Sequence, residues 1–553
     1  MKRSLLLATT ALALSVATVG GASAATVKPW FEFKKAPLVI SPDDLLLDTA
    51  GAATPVFNAG SVRVSFEGIS QYDAANFARN FIPPDTMGAV GKTQFLSVLN
   101  GGVGVFDKAT GASLAKISDV AFWAKAGLIG TSGDPRVMYN AQANRWVVVA
   151  FGNNPKDLQI AVSDTHDALG GWKAVTFEGF GSGFFSPVAD YPTLALDANA
   201  VYIGTNNFGA TTSGGAQTFR GTTLNVIPLD SLFGGAAPTV DGLKQFSTPC
   251  CAAGSDLTRG FTIQGVNSSE ASTTGNILAV SLTDFELVRY DVLNAGTAGA
   301  TLTPSVTLGS PYKINGPGRQ PNGGVGLRNI DTIDDRVGSS VWEQNGRIYA
   351  VHTVTPTGGD ETRVRIYVID SATNMVLDEY EIGSPGYDYY MGSIAVNEAG
   401  YVVVGYNRSG FGPDGKISFM TRAFETLPDG TLAPVGLELL LKESLTDRYL
   451  NGNTEASGEP VGRQRWGDYS AVTIDPEDSN VFWIIGQFAR EANTPENGHP
   501  AGTGFSRWGT WIAAVDLGRM VTVPEPGSLA IMLIGLTLLG ASVRRRRPAP
   551  VAN

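Results

Sequence analysis

Short hydrophobic runs rich in β-branched and aromatic residues recur along the middle of the chain, each after a polar turn. Runs of this kind, bounded by Gly, Asn and Asp, are typical of buried β-strands. They lie at 95–100, 145–151, 200–204, 275–280, 347–352, 401–405 and 481–486. Successive runs are about 45 to 80 residues apart, which exceeds the ~40–50 residues of common blade repeats and indicates insertions in the connecting loops.

A second pattern precedes several of these runs. An acidic residue or Asn is followed within a few positions by a turn and then by the strand. The pattern occurs at 139–146, 197–202, 343–349, 397–401 and 475–483. Because Asp and Asn side chains hydrogen-bond to backbone groups just ahead of them, the pattern predicts repeated tight hairpins.

Helical periodicity is nearly missing from the body of the chain and predicts only short helical turns near 120–128 and 437–445. The expected fold is therefore all-β. A single β-propeller of about six or seven four-stranded blades over residues 83–518 accommodates this length with protected edges. Two β-sandwiches are the alternative. Residues 25–82 match no blade and predict an N-terminal extension or a closing strand.

The first 24 residues have the features of a signal peptide. Lys2 and Arg3 precede a short apolar stretch, and Ala22-Ser-Ala24 forms a small-residue cleavage site for signal peptidase. The alternative, an N-terminal membrane anchor, needs a longer apolar stretch than this one. We therefore expect residues 1–24 to be absent from the mature protein.

The C-terminal segment 523–547 combines a polar motif, an apolar stretch and a basic stop. Pro524, Glu525 and Pro526 precede the apolar residues 529–543, and Arg544–Arg547 follow them. An apolar stretch ending in arginines predicts a transmembrane helix with the body outside. The arrangement resembles a PEP-CTERM sorting signal; an ordinary C-terminal anchor is the alternative. The resemblance implies a Gram-negative bacterium, processing by an exosortase, exopolysaccharide production, and a place in the cell envelope or outside the cell.

Charge and rare residues narrow the range of functions. The formal net charge is -11, and the basic clusters lie at the two ends, so the exported body is acidic and a nucleic-acid partner is not expected. The three histidines lie far apart in the sequence, which argues against a His-rich zinc site or a Ser-His-Asp triad. The two cysteines, Cys250 and Cys251, are adjacent and predict a loop turn or a vicinal disulfide.

Several motifs resemble those of a largely uncharacterised family of secreted bacterial β-propeller proteins. They lie at 84–91, 100–108, 133–139, 145–146, 190–192, 334–336 and 463–470. The resemblance implies a propeller over most of the mature chain. Met87 and Ala89 depart from the pattern, which has polar or acidic residues there. The segment 163–172 is similar to an Asp box of sialidase-like propellers, a turn that is usually structural.

Two kinds of site are candidates. Sialidase chemistry needs arginines for the substrate carboxylate, a tyrosine nucleophile and acidic residues. The catalytic candidates are Asp134, Arg136, Asp190, Asp335, Arg336, Arg465, Asp468 and Tyr469. The alternative role for such residues is to pair with one another between blades. Asp475 and Asp478 are candidate Ca²⁺ ligands in an acidic loop, with a solvated turn as the alternative.

Two functions follow from these patterns. The first is a surface-displayed binding module for an extracellular polysaccharide or a surface protein, with aromatic residues lining a propeller mouth. These aromatic residues are Trp146, Tyr191, Tyr389, Tyr390, Trp466, Tyr469 and Trp508. The alternative is an extracellular sialidase-like or other glycan hydrolase, which needs two converging carboxylates in a pocket.

Overall fold

The computed structural model describes residues 60–518, apart from 78, 80, 181–184, 251–256, 322–328, 448, 451–463 and 493–505. The predicted signal peptide and the sorting segment 523–547 lie outside the described residues. Among the described residues, no helix has the length and apolar character needed to cross a membrane.

The chain begins with β1 (Ser61–Ser70) and α1 (Gln71–Asn76), and then forms antiparallel meanders in chain order. The first sheet contains β2 (Met87–Val90), β3 (Gln94–Leu99), β4 (Gly102–Asp107) and β5 (Ser113–Ser118). After α2 (Asp119–Lys125), the second contains β6 (Gly133–Asn140), β7 (Arg145–Phe151), β8 (Asp157–Ser163) and β9 (Trp172–Glu178). The third contains β10 (Phe185–Asp190), β11 (Ala195–Leu196), β12 (Ala200–Ala210), β13 (Thr218–Pro228) and, after α3 (Leu229–Phe233), β14 (Lys244–Pro249).

The next two sheets are joined by parallel pairing of their first strands. The fourth contains β15 (Phe261–Ser268), β16 (Thr274–Val280), β17 (Leu287–Leu293), β18 (Thr301–Leu302) and β19 (Val306–Leu308). Between them lie β20 (Tyr312–Lys313), which pairs with the fifth sheet, and β21 (Ile330–Asp331). The fifth contains β22 (Val341–Gln344), β23 (Arg347–Pro356), β24 (Arg363–Asp370) and β25 (Val376–Ile382).

The last strands form two further meanders and one short pair. The sixth sheet contains β26 (Tyr387–Val396), β27 (Tyr401–Gly410), β28 (Ser418–Thr426) and β29 (Leu432–Glu443). The seventh contains β31 (Ala471–Ile474), β32 (Val481–Ala492), β33 (Ser506–Asp516) and β1. Between the sixth and seventh sheets, β30 (Gln464–Arg465) pairs in parallel with β21.

The all-β expectation is confirmed, and each of the hydrophobic runs contributes to the second strand of a different sheet: β3, β7, β12, β16, β23, β27 and β32. Buried neighbours on both sides explain why these strands have the strongest hydrophobic signal. The prediction of a helical turn at 437–445 is wrong, because residues up to Glu443 belong to β29. Leu437 and Leu440 are exposed on this outermost strand, which gives the segment an irregular apolar spacing.

The strand β1 joins the two ends of the described chain. It pairs antiparallel with β33 and forms the outer strand of the seventh sheet. The Phe66 ring packs on Phe106 of the first sheet and on Trp483 of the seventh, with centroids 5.2 and 6.5 Å apart. One hydrophobic core also contains buried residues of both sheets. The stretch 25–82 thus contains a strand of the last sheet.

The turns before the second strands are capped by their own polar side chains. Asp197 Oδ1 accepts hydrogen bonds from the backbone N–H groups of Asn199 and Ala200 at 2.7 and 2.8 Å. Asn397 Oδ1 likewise accepts from Ala399 and Tyr401 at 3.1 and 2.9 Å. In both turns the Asp or Asn residue noted in the sequence therefore fixes the turn that starts the strand.

A left-handed residue recurs in or beside the first strand of several sheets. These residues are Asp85 (φ 48), Asp134 (φ 50), Tyr191 (φ 51), Thr262 (φ 51) and Met391 (φ 55). A side chain of the preceding sheet binds the backbone N–H of some of them: Asn100 binds Asp134, Asn206 binds Thr262, and Thr353 binds Met391. We call this end of the sheets, defined by these five residues, the mouth.

Candidate binding site at the mouth

Charged side chains of both signs meet at the mouth. The acidic residues are Asp85, Asp134, Asp190 and Asp468, and the basic residues are Arg136, Arg336 and Arg465. Their charges act on one another: Asp134 and Asp468 raise the pKa values of Asp85 and Asp190, and Arg336 opposes the rise at Asp190. We call these seven residues the mouth cluster.

Asp85 and Asp134 are linked through Asn100. The Asn100 Nδ2 donates to Asp85 Oδ2 at 2.6 Å, and its Oδ1 accepts from the Asp134 backbone N–H at 2.9 Å. Burial, followed by the charges of Asp468 and Asp134, raises the pKa of Asp85 well above its ordinary value. Asp85 therefore holds a proton more tightly than an ordinary aspartate does.

Asp190 lies next to this pair. Burial raises its pKa to about 8, and the charge of Asp134 adds to the shift. The adjacent Tyr191 backbone N–H donates to Asp134 Oδ2 at 3.2 Å. A carboxyl group of this kind is largely protonated at neutral pH and donates a hydrogen bond where most aspartates only accept one.

Arg136 is buried beneath the carboxyl groups. Its Nε donates to the Pro192 carbonyl at 2.9 Å and its Nη1 to the Gly338 carbonyl at 2.7 Å. The guanidinium carbon lies 3.5 Å from the ring centroid of Tyr469 and 5.0 Å from that of Tyr191. Its Nη2 has no hydrogen-bond partner among the described residues. Backbone carbonyls and aromatic faces thus hold a positive charge in the interior.

Arg336 and Arg465 come from the long connections before the fifth and seventh sheets. Arg336 donates twice to Asp334, at 2.6 Å in each bond, and lies 4.2 Å from the Tyr191 ring centroid. Arg465 Nη2 lies 3.3 Å from Asp468 Oδ1. Residues Asp331 and Arg465 are partners in the short β21–β30 pair, so this pair brings the two connections together at the mouth.

Part of the cluster reaches solvent. The side chains of Arg336 and Arg465 are 12% and 18% exposed, and Asp134 and Asp190 are half-buried. Asp85, Arg136, Asp468 and Tyr469 are buried. Two carboxyl groups and two guanidinium groups are therefore partly accessible to solvent, and the other members of the cluster are buried beside them.

Asp335, a sequence candidate, does not belong to the mouth cluster. Its Oδ2 accepts from the Tyr312 hydroxyl at 2.7 Å, and its backbone oxygen lies 2.6 Å from His352 Nδ1. Its neighbour Asp334 pairs with Arg336 instead. The side chain two positions before the arginine, rather than the one next to it, therefore faces the mouth.

The expectation that aromatic side chains line the mouth is wrong. All seven of those residues are buried: Trp146, Tyr191, Tyr389, Tyr390, Trp466, Tyr469 and Trp508. Several of them form hydrogen bonds between segments that are distant in the sequence; for example, Trp508 Nε1 donates to the Phe81 carbonyl at 2.9 Å. Their polar atoms serve connections between segments, and their rings fill the core.

The two candidate calcium ligands have protein partners. Asp475 accepts from Lys108 Nζ at 2.9 Å and from Trp483 Nε1 at 3.1 Å. Asp478 pairs with Arg63 at 3.0 Å. The part of the chain that the structure describes holds no group of three or more His, Cys, Asp or Glu residues able to bind a metal ion. Asp475 thus joins the seventh sheet to the first, and Asp478 joins β1 to the turn before β32 within the seventh sheet.

The segment that is similar to an Asp box connects β8 and β9. Asp167 Oδ1 accepts from the Leu169 backbone N–H at 2.9 Å and from Gln94 Nε2 at 2.8 Å. Trp172 is buried and its Nε1 donates to the Ala168 carbonyl at 2.9 Å. This turn joins the second sheet to the first, which is a structural role.

Cys250 is disulfide-bonded. It is buried in a core that includes Phe219 and Phe261. The only other cysteine in the sequence is Cys251, which lies outside the described residues.

Sequence reasoning missed Asp85, Asn100 and Asp334 as members or supports of the site. A signal for Asp85 was present, because Asp85 lies two residues before β2 and Asp134 is the second residue of β6, so both aspartates are near the start of a first strand. Asn100 had no such signal. Its role depends on the fold, which brings the end of β3 beside the start of β6.

Comparisons with known proteins agree with the sorting signal. The family model of the PEP-CTERM protein-sorting motif matches residues 522–547. The predicted sorting segment is confirmed. The chain is exported through an exosortase-type system, with anchoring at its C-terminal end before processing. No curated protein matches the chain in sequence.

Solved structures similar to this chain have low identity to it. The extracellular domains 1–2 of Drosophila Semaphorin 1b share 9% identity, with 83% of this chain and 88% of that chain covered and a TM-score of 0.37. A mutant of the Synechocystis apocarotenoid oxygenase shares 13% identity, with 65% and 71% covered and a TM-score of 0.37. The likeness of 163–172 to an Asp box stays a prediction.

Proposed function

We propose that the exported body is a single closed propeller of seven blades that acts as a binding module at the cell surface. Closure is supported by β1, which completes the last sheet, and by the core shared between the first and last sheets. The sorting signal supports a place in the cell envelope. The ligand we propose is an extracellular polysaccharide.

The observation that carries this proposal is that four residues of the mouth cluster are partly exposed to solvent. Asp134, Asp190, Arg336 and Arg465 offer donors and acceptors of both charges, which suits the hydroxyl groups of a sugar chain. Two buried groups of the same site, Arg136 Nη2 and the Tyr469 hydroxyl, have no partner among the described residues. The sheets already fix the positions of these two groups, so binding should cost little conformational entropy there.

A panel of extracellular polysaccharides tests the proposal, with the mature protein and an Asp190→Ala variant. We expect at least one polymer to bind and Asp190→Ala, which removes the donor and the acceptor, to weaken binding about tenfold, or ~1.4 kcal/mol. The matched control is Asp164→Ala, which changes an exposed aspartate directly after the end of β8. Unchanged binding by Asp190→Ala, or binding to no polymer, contradicts the proposed site.

One observation favours glycan hydrolysis as a second candidate. A protonated Asp190 beside Asp134 resembles the acid and carboxylate pair that such enzymes use. Hydrolysis predicts release of reducing sugar from a bound polymer, abolished by Asp134→Ala or Asp468→Ala. Binding without release favours the binding module.

The anchor is tested separately. The last described strand ends at Asp516, before the sorting segment. Deleting residues 523–553 should therefore send a folded protein into the medium, measured by fractionation and thermal unfolding. Retention of that truncated protein in the envelope contradicts anchoring by this segment.

A further inference from the structure

A buried chain of hydrogen bonds lies beside the mouth, between the fifth sheet and the connection before it. The Tyr312 hydroxyl donates to Asp335 Oδ2 at 2.7 Å. His352 Nδ1 lies 2.6 Å from the Asp335 backbone oxygen, and its Nε2 lies 3.1 Å from the Tyr367 hydroxyl. Arg365 Nη1 donates to the same Tyr367 hydroxyl at 3.4 Å. His352 is 2% exposed.

These partners define the protonation state of His352. A backbone carbonyl only accepts, so Nδ1 carries a hydrogen. The Tyr367 hydroxyl already accepts from Arg365, so its own hydrogen is free to go to Nε2. Nε2 must then be an acceptor. The hydrogen bonds fit a neutral imidazole with its hydrogen on Nδ1.

Protonation of His352 conflicts with this arrangement. Nε2 would become a donor, and the Tyr367 hydroxyl would face two donors and lose its acceptor. A buried imidazolium would also share that oxygen with the Arg365 guanidinium. The Asp335 carboxylate favours the charged imidazole, and Glu381, which is held by Arg365 at 2.6 Å, partly offsets the guanidinium. Tyr312 and Tyr367 pack edge-on or tilted against the ring, so solvent gives the charge little help.

His352 also controls the position of a mouth residue. The backbone oxygen that it binds belongs to Asp335, which lies between Asp334 and Arg336. Asn315 Nδ2 holds the same stretch, because it donates to the Asp334 carbonyl at 3.0 Å and to the Thr353 carbonyl at 3.1 Å. A change at His352 therefore reaches Arg336 through one peptide unit.

We propose that His352 is an acid-sensitive latch: in its neutral form it holds residues 331–336 at the mouth, and its protonation releases them and weakens ligand binding. The effect on ligand binding rests on the proposed function of the mouth, whereas the release of residues 331–336 does not depend on it. An exported protein meets the acidity of its surroundings, so such a latch would make binding respond to external pH.

Hydrogen–deuterium exchange tests the latch without any ligand. After correction for intrinsic rates, amides at 331–341 of the mature protein should exchange about tenfold faster at pH 5 than at pH 7.5, while β12 and β13 stay unchanged. His352→Gln should abolish this difference. His166→Gln is the matched control, and it should keep the difference because His166 lies in the turn between β8 and β9.

Tyr367→Phe gives a second test if His352→Gln fails to fold. Loss of the hydroxyl removes the donor that favours neutral Nε2, so the acid response should move to a higher pH. The latch is wrong if the wild-type protein shows no difference at 331–341, if His352→Gln keeps it, or if Tyr367→Phe moves it to a lower pH. Because no ligand is used, these results stand even if the mouth binds no polysaccharide.

Discussion

Aspartates at the turns and aspartates at the mouth have opposite environments. Asp107 and Asp370 each accept from the backbone N–H and the hydroxyl of a threonine three positions on, at 2.7 to 2.9 Å. These bonds lower their pKa values. At the mouth, burial and neighbouring carboxylates raise the pKa values of Asp85, Asp134 and Asp190. The turn carboxylates stabilise the fold, whereas the mouth carboxylates cost stability, which is typical of functional sites.

The largest expected effect comes from a turn that also joins two sheets. Asp475→Ala removes the partner of Lys108 and of the buried Trp483 Nε1. The buried Trp483 N–H would lose its acceptor and Lys108 would keep only the Gly91 carbonyl, so the free energy of unfolding should fall by about 2–4 kcal/mol. Urea unfolding at pH 7 measures this loss. A loss below ~0.5 kcal/mol would mean that such turns contribute little.

A mouth substitution should act in the opposite direction. The folded state keeps a proton on Asp190 up to about pH 8, whereas the unfolded chain loses it near pH 4, so the wild-type protein loses stability as pH rises between these values. Asp190→Asn cannot ionise and should be more stable than wild type by about 1–3 kcal/mol at pH 9, with little difference at pH 3.5. Thermal unfolding at both pH values measures the gain. Destabilisation at pH 9 contradicts the assignment.

The smallest effect is expected at an exposed turn. Asp370→Asn weakens local hydrogen bonds in solvent and should cost less than ~1 kcal/mol at pH 7. Because hydrogen bonds from Thr373 lower the pKa of Asp370 in the fold, this cost should disappear in acid, once the folded-state carboxylate is protonated. Unfolding curves at pH 7 and pH 2.5 check the sign. If the stability cost of Asp370→Asn instead grew in acid, the contrast between turn aspartates with lowered pKa values and mouth aspartates with raised ones would be wrong.

The same contrast explains what the sequence could predict. Turn aspartates accept hydrogen bonds from residues a few positions away in the sequence, so the motif at 475–483 was enough to predict its hairpin. The buried second strands, such as β7 and β32, were equally plain from their apolar runs. β1 was not, because its first residues are mostly exposed and its partner β33 is distant in the sequence.

The mouth cluster was only partly predictable. Asp134, Arg136, Asp190, Arg336, Arg465, Asp468 and Tyr469 were all candidates on local grounds, and the fold brings them together. Asp335 was placed with them because it lies at a turn-like position, yet its side chain binds Tyr312. Which of the adjacent Asp334 and Asp335 faces the mouth depends on the local backbone, which has a positive φ at Ile333, and the sequence pattern does not reveal it.

Carboxyl groups at the mouth are expected to keep protons at neutral pH. Infrared difference spectroscopy of the mature protein tests it most directly, through the C=O stretching band of a protonated carboxyl group. We predict that the band is present at pH 7, shrinks as pH passes about 8, and is weaker at pH 7 in Asp190→Asn. A spectrum at pH 7 with only ionised carboxylates would contradict the account.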